Sequence, residues 1–452
     1  MKGLLSIALL CAALPLFAQH PADPGCIGAG KEPPRSRIVA YPTPSEARAA
    51  LEGKSKYLQP LDSWETAATD EGTLFTAEFI YPFAWLNRQI LLHVGSAPSS
   101  YTVSVNGKTV GYTQNGSTPT EFNLTKYASE GKNKIAILVH DRPASAVLES
   151  WPRTQTPALV DTYVQSQPTI RIRDVETRTS IVEGRINAEI VVAVRTEALN
   201  PKSARIQFDL LTPAGESAAT GHKDIALDMR REDTLRFIAT IPAEMLWSAE
   251  KPTLYTLLLS TRTEGRITEN IALKVGFRTV DALPDGRLFI NGKHVELRPV
   301  DLPASLDEES LWTLKMQGYN TLRLPAGPVS PDVFALCDQA GCYVVRQTPI
   351  NSSASGTSIR RDGNPSNDPQ WGPAYIARAE ESYHTAKLHP SVIAFSIAEQ
   401  SANGINLYES YLRMKELEDS RPILYPDAGG EWNSDPLPPL TEPAPRPSAA
   451  EK

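Results

Sequence analysis

Residues 320–350, NTLRLPAGPVSPDVFALCDQAGCYVVRQTPI, read as a strand (NTLRLP), a helix (SPDVFALCDQAG) and a second strand (YVVRQTPI). That order implies parallel strands joined by a right-handed crossover. The alternation continues in both directions. Upstream come the hairpin and strand of LFINGKHVELRPVDL and the helix DEESLWTLKMQG. Downstream come the helix DPQWGPAYIARAEESYHTAKL, the strand SVIAFSIAEQS, the helix NLYESYLRMKELE and the strand PILYPDAG. Short, apolar strands of this kind belong to a (β/α) barrel of the TIM type. About five of them fit before the Pro-rich stretch 436–452, whose composition predicts a disordered, partly polyproline tail. A whole barrel takes roughly 250 residues, so residues 281–435 are expected to form an incomplete one.

The segments before it have a different period. Residues 56–163 contain TLFTAEFIYP, RQILLHVG, SYTVSVNGKTVGY and NKIAILVHD, short runs with partial alternation of apolar and polar residues. Asn106-Gly107 tolerates positive φ at both central positions of a hairpin turn. This predicts a β-sandwich. Residues 164–280 repeat the style with six to seven strands and predict a second sandwich of immunoglobulin-like size. The expected fold class is therefore multidomain, β plus α/β.

Lys2 followed by GLLSIALLCAALPLFA predicts a signal peptide, residues 1–18, cleaved after Ala18. The apolar run is too short to span a bilayer, and no later stretch is long and apolar enough to do so. The expected location is secreted, periplasmic or attached to the cell surface. Residues 19–55, rich in Pro, Gly and Ala, read as a leader or linker. Within them GCIGAGKE, residues 25–32, nearly matches a phosphate-binding loop, but Glu32 replaces the Mg²⁺-binding hydroxyl and prolines follow. A linker is the better reading. After cleavage Cys26, Cys337 and Cys342 remain, an odd number; the last two are expected as buried free thiols. No Cys/His spacing suggests a metal, and no cofactor is expected. The net charge of −7 with no basic block argues against nucleic-acid binding. With 41% hydrophobic and 21% charged residues, the composition is that of a globular protein.

The order sandwich, sandwich, barrel, with VNGKTVGY and TPTEFNLT in the first domain, LWSAEKPTLYTL and GFRTV in the second, and FINGKHVELR, LCDQAGCYVV and HPSVIAFS in the third, resembles glycoside hydrolase family 2, the β-galactosidase and β-glucuronidase group. The resemblance covers roughly residues 55–435. It implies a galactose-binding-like jelly roll, an immunoglobulin-like sandwich and a catalytic barrel. It also implies retaining hydrolysis by two carboxylates about 5 Å apart, one a general acid/base and the other a nucleophile.

The family's acid is the Glu of an Asn-Glu pair ending the fourth barrel strand. A gapless match from His389-Pro390-Ser391 through Ser401 and Gly404 puts the Asn on Glu399 and the acid on Gln400. A one-residue gap restores Glu399 as the acid, but it breaks the match at Ser401 and Gly404 and turns the side chain to the other face. Other sugar- and metal-facing positions of the family are replaced too: Asp301 follows the first strand, Leu324-Pro325-Ala326 follows Arg323, and Arg346-Gln347 stands for an acidic pair. The family's nucleophile lies on the seventh strand, so it is expected to be absent here. Glu149 and Trp151, in the loop that the resemblance sends toward the active site, could hold a sugar's hydroxyls and CH face. Core packing of Trp151 and a solvated Glu149 are the plainer alternative. Arg323, Asp301, Trp371 and Trp432 complete the candidate lining, although Trp371 opens a helix and could simply pack there.

Two functions follow. One is an exported, catalytically inactive carbohydrate-binding or scaffold protein of carbohydrate metabolism. The other is a divergent β-glycosidase using Glu399. An open half-barrel would leave apolar strand faces uncovered, so self- or hetero-association through that side is expected.

Overall fold

A computed structural model describes residues 21–49, 55–152, 157–356, 364–418, 420–437 and 440. Residues 1–18, expected to be a signal peptide, lie outside them, as does most of the Pro-rich tail. No helix among the described residues is long and apolar enough to cross a membrane.

The first domain is a sandwich of a six-stranded and a four-stranded antiparallel sheet. Its hairpin turns at Asn106 and Gly107, with φ of 50° and 77°, between strands Tyr101–Val105 and Lys108–Thr113. Phe75, Ile90, Leu92, Tyr101, Val103 and Ile137 fill the space between the sheets. The second domain packs a three-stranded sheet on a four-stranded one around Ile190, Val192, Ile206, Leu257 and Leu259. Of the strands that escaped the sequence reading, two are long: Val160–Pro168 and Ser217–Leu227. The first is polar along much of its length, with Thr162, Gln165, Ser166 and Gln167 buried at a domain junction. The second is solvated on both faces over most of its course. Apolar alternation cannot register either.

The expectation of a linker at 19–55 needs correcting. Gly28–Ala29 adds a strand to the edge of the six-stranded sheet. Ile38, Val39, Ala40 and Tyr41 are buried. Between them the chain is held by ion pairs, Lys31 with Glu381 at 2.7 Å and Arg35 with Glu121 at 2.6 Å. The segment is a strap across three domains. Lys31 is committed to the barrel domain's Glu381, which also fails the phosphate-loop pattern.

The third domain opens with a hairpin, Leu288–Ile290 and Lys293–Val295, and then forms the α/β unit. Its elements are β1 (Pro299–Asp301), α1 (Glu308–Met316), β2 (Thr321–Arg323), α2 (Pro331–Ala340), β3 (Tyr343–Gln347), α3 (Gly372–Ala386), β4 (Val392–Ser396), α4 (Ile405–Leu417) and β5 (Ile423–Leu424). The five strands form one parallel sheet in sequential order. Local signals start and stop the helices. Asp307 and Ser310 form a reciprocal capping box on α1. Ser330 caps α2, with Pro331 in its first turn.

Gly341 ends α2 in the left-handed region at φ 68°, and a Cβ there would lie 2.1 Å from the Ala249 carbonyl oxygen. Only glycine satisfies both the cap and the approach of the second domain. A Cβ at Gly276 would likewise come within 2.6 Å of Pro390 Cγ. The GFRTV and HPSVIAFS segments thus touch, and Arg278 Nη2 donates to the Val392 carbonyl at 2.5 Å. Trp247, fully buried, packs with Ile290, Tyr343 and Ile393 and donates to the Asp338 carbonyl at 2.9 Å.

The two faces of the parallel sheet differ. Leu322, Val344, Val392, Phe395 and Ile423 pack under the helices with Phe334, Tyr375, Tyr383 and Leu407. On the inner face Val345, Ala394 and Leu424 meet Leu437 and Leu440 from the Pro-rich stretch. The side expected to be open therefore has a cover from the same chain. Cys337 and Cys342 are free and buried; a hydrogen bond from Cys342, together with burial, pushes the Cys337 thiol far up.

Candidate functional site

The C-terminal ends of β2, β3, β4 and β5 converge on one rim. After β4 the chain stays buried through Ala398 and reaches Glu399, half-buried, and Gln400, exposed. The Glu399 amide donates to the Ile350 carbonyl at 2.8 Å, and its Oε2 accepts from the Ala326 amide at 3.3 Å. The carboxylate therefore leans across the end of β3 to the turn after β2. Gln400 turns away: its φ is 45°, and its amide donates to Asp427 Oδ2, beyond β5, at 3.0 Å. The left-handed φ is uncommon for a residue with a Cβ and marks where the strand's alternation ends. The rim is tied down from below. Ser401 Oγ accepts from the Ser352 amide at 3.0 Å, and the Tyr425 hydroxyl donates to the Ser401 carbonyl.

The loop from the first domain arrives at the same rim. Short parallel bridges run from Glu149 to Asn351 and from Asn351 to Glu399. Glu149 itself points inward: its Oε1 pairs with Arg378 Nη2 of α3 at 2.8 Å, and both side chains are about 1% exposed. Arg378 Nη1 also donates to the Pro349 carbonyl at 2.8 Å. Glu149 is thus neither solvated nor turned toward the rim; it is a buried interdomain anchor. Trp151 is half-buried and lies over Gly327, where a Cβ would stand 3.4 Å from its Cδ1. Since Glu399 holds Ala326, the aromatic and the carboxylate flank one turn, Ala326-Gly327. The sequence set Trp151 beside Glu149; in the fold Glu149 turns inward, and Trp151 lies over the residue next to the one that Glu399 holds.

The remaining candidates separate. Arg323 lies on the inner side of the sheet, where its Nη2 pairs with Asp301 Oδ1 at 2.8 Å and its Nη1 donates to the Leu440 carbonyl. Both candidates are thus on the inner rim, and the tail occupies part of that space. Trp371 is a correction: at 8% exposure it packs in the core under the helices and offers no face to a ligand. Trp432 is exposed beside Tyr408 and Tyr411, with ring centroids 5.0 and 5.9 Å away. Arg346 turns from the rim into the protein, 6.0 Å from the Phe334 ring, and burial lowers its pKa to about 10. Ala326, one of the replaced family positions, and Asp427, which no sequence signal singled out, complete the rim through backbone and side-chain contacts to Glu399 and Gln400. Among the described residues no group of three or more His, Cys, Asp or Glu could hold a metal ion.

Comparison with known proteins agrees with this architecture. Residues 32–166 match the glycosyl hydrolases family 2 sugar binding domain, 170–278 glycosyl hydrolases family 2 and 283–436 the family 2 TIM barrel domain. A β-galactosidase from Priestia megaterium is 28% identical over 365 residues, 75% of this chain and 35% of the relative. A β-galactosidase from Yersinia pestis is 29% identical over 381 residues, 78% of this chain and 36% of the relative. The chain thus spans about a third of the length of these relatives. Among solved structures, Bacteroides uniformis β-glucuronidase 2, covalently bound to cyclophellitol-6-carboxylate aziridine, superposes with a TM-score of 0.68 at 18% identity, covering 88% of this chain and 52% of that one. A β-glycosidase from Bacteroides vulgatus gives 0.63 at 22%, covering 78% and 46%. With a sugar-binding sandwich, an immunoglobulin-like sandwich and a partial TIM barrel in the family's order, this chain belongs to glycoside hydrolase family 2.

Proposed function

We propose that this chain is an exported carbohydrate-binding or scaffold protein of family 2 that does not hydrolyse glycosides. The observation that carries this reading is the Glu399-Gln400 pair. Gln400 stands at the family's acid position in the gapless match, and an amide cannot donate a titrating proton; losing a general acid typically costs about 10²–10⁴ in rate. Trp151 against Gly327 and Glu399 against Ala326 supply the groups a sugar needs, an aromatic face for its CH groups and a carboxylate for its hydroxyls. The family 2 sugar-binding match supports a carbohydrate as the ligand.

A second reading rests on Glu399 itself. Its carboxylate is half-buried at the rim, and its one hydrogen bond among the described residues comes from a backbone amide. That is a fitting place for an acid/base in a divergent β-glycosidase.

One set of measurements separates the two. The mature chain is assayed on a panel of nitrophenyl glycosides and titrated with galactose and glucuronate. The first reading expects no turnover and a saturable binding signal that Trp151→Ala removes. Turnover that Glu399→Gln abolishes would establish the second. N-terminal sequencing of the exported protein, with Gln19 first, tests the export.

A further inference from the structure

At the other end of the parallel sheet, the second sandwich and the N-terminal ends of β4 and β5 enclose a polar cleft of about 350 Å³. Arg278 enters it from the end of the second sandwich. A guanidinium carries five N–H donors. Among the described residues Arg278 uses one of its side-chain donors, from Nη2 to the Val392 carbonyl, and has no carboxylate within ion-pair distance. Its enclosed Nε has no partner.

Arg421, 5% exposed, enters from the turn before β5. Its Nε donates to Glu418 Oε2 at 2.6 Å, its Nη2 pairs with the same carboxylate, and its Nη1 has no partner. The two guanidiniums feel each other. Burial first, and then the Arg421 charge, lower the Arg278 pKa to about 9. The other cations of the cleft are already answered, Arg178 by Glu176 and Lys387 by Asp174. Glu418 is thus taken by Arg421, and it and Asp338 act on Arg278 only from beyond ion-pair distance.

Leaving a charge enclosed without a counterion is costly, and Arg forks match tetrahedral oxyanions in geometry as well as charge. We propose that this cleft binds a compact oxyanion, phosphate or sulfate, between Arg278 and Arg421. The anion supplies the missing counter-charge and ties the second sandwich to the barrel domain. The site lies at the opposite end of the strands from Glu399, so occupying it and occupying the sugar rim are separate events.

The test is calorimetric titration and thermal unfolding of the full chain with inorganic phosphate and with sulfate, each against chloride at matched ionic strength. Saturable one-site binding and a raised Tm are expected for phosphate, sulfate or both, and the two arms distinguish them. Arg278→Gln is expected to weaken binding about tenfold or more. Because that variant could disturb the domain contact, Ser180→Asp, at the exposed edge of the cleft, provides a second approach. It adds a negative charge without touching the core and is expected to weaken binding as well. Glu418→Gln, which frees Arg421, is expected to tighten it. Absence of saturable binding up to ~20 mM of either oxyanion, or equal affinity in the Arg278→Gln and Ser180→Asp variants, would overturn the proposal.

Discussion

Glu399 and Gln400 are neighbours in sequence with opposite commitments. One carboxylate reaches over the end of β3 to the Ala326 amide, while the amide side chain beside it is exposed at a left-handed φ. Retaining hydrolysis needs a second carboxylate about 5 Å from the acid, on the other side of the sugar. In the family that group lies on the seventh strand, and the described residues hold five. Gln400→Glu is therefore expected to leave the nitrophenyl glycosides untouched; clear turnover by that single variant would show that the chain already holds a nucleophile.

Glu149 makes a different demand. Its carboxylate and Arg378 are both about 1% exposed and join the first domain to α3. Arg378→Ala leaves a buried carboxylate without its guanidinium, and losses of this kind cost about 3–5 kcal/mol. A chemical denaturation curve should show the midpoint falling accordingly, with Glu149→Gln/Arg378→Met recovering part of the loss. A midpoint unchanged in Arg378→Ala would remove Glu149 as an anchor.

Among elements, the strap of residues 21–49 shows how charge together with apolar burial can place a segment. Prolines and glycines give it no period, yet Lys31, Arg35 and Arg37 find Glu381, Glu121 and Asp161 on other elements. Burial alone would raise the Glu121 carboxyl, but Arg35 and His93 outweigh it and hold it well below the usual range. Asp174, at the junction with the barrel domain, is held down in the same way by Lys387 and His384. Glu418 is held at about 2, again against burial, chiefly by Arg421. In each case the folded value lies below the unfolded one, near 4. Their contribution is therefore complete above that pH and is lost as pH falls toward the folded values. Thermal unfolding should keep a nearly constant Tm from these groups between about pH 5 and 7 and lose it steeply below about pH 4. Glu121→Gln should lower the Tm at neutral pH and flatten the acid limb. An acid limb as steep as the parent's would show that Glu121 does not contribute to it.

At the scale of the whole molecule, five parallel strands leave an inner apolar face, and Leu437 and Leu440 cover Val345, Ala394 and Leu424 there. Arg323 donates to the Leu440 carbonyl and fixes the segment at the rim. Association through this side, expected from the sequence, must then displace these leucines. Removing residues 436–452 should expose the face and raise the apparent mass in light scattering as concentration increases. A truncated chain that stays monomeric at high concentration would mean that the leucines cover nothing that another copy can use.

The sequence by itself determined the three-domain order, the strand–helix alternation, the Asn106-Gly107 hairpin and the place of Glu399 and Gln400 at the end of β4. These rest on short-range physics: apolar period, turn chemistry and the switch from a buried strand to a polar rim. Sequence reading failed where polar residues are buried by partners far along the chain. The strap, the polar strand Val160–Pro168 and the inward turn of Glu149 have no local signature, because the groups that satisfy them lie far along the chain. Trp371 looked equally suited to a cleft and a core, since an indole's chemistry fits both, and only packing under the helices chose between them. The approach of Trp151 and Glu399 to the turn Ala326-Gly327, and of Arg278 and Arg421 to one cleft below the sheet, exists only once parallel strands bring distant ends together. Which side chains share a site is a property of that closure, and sequence spacing carries no trace of it.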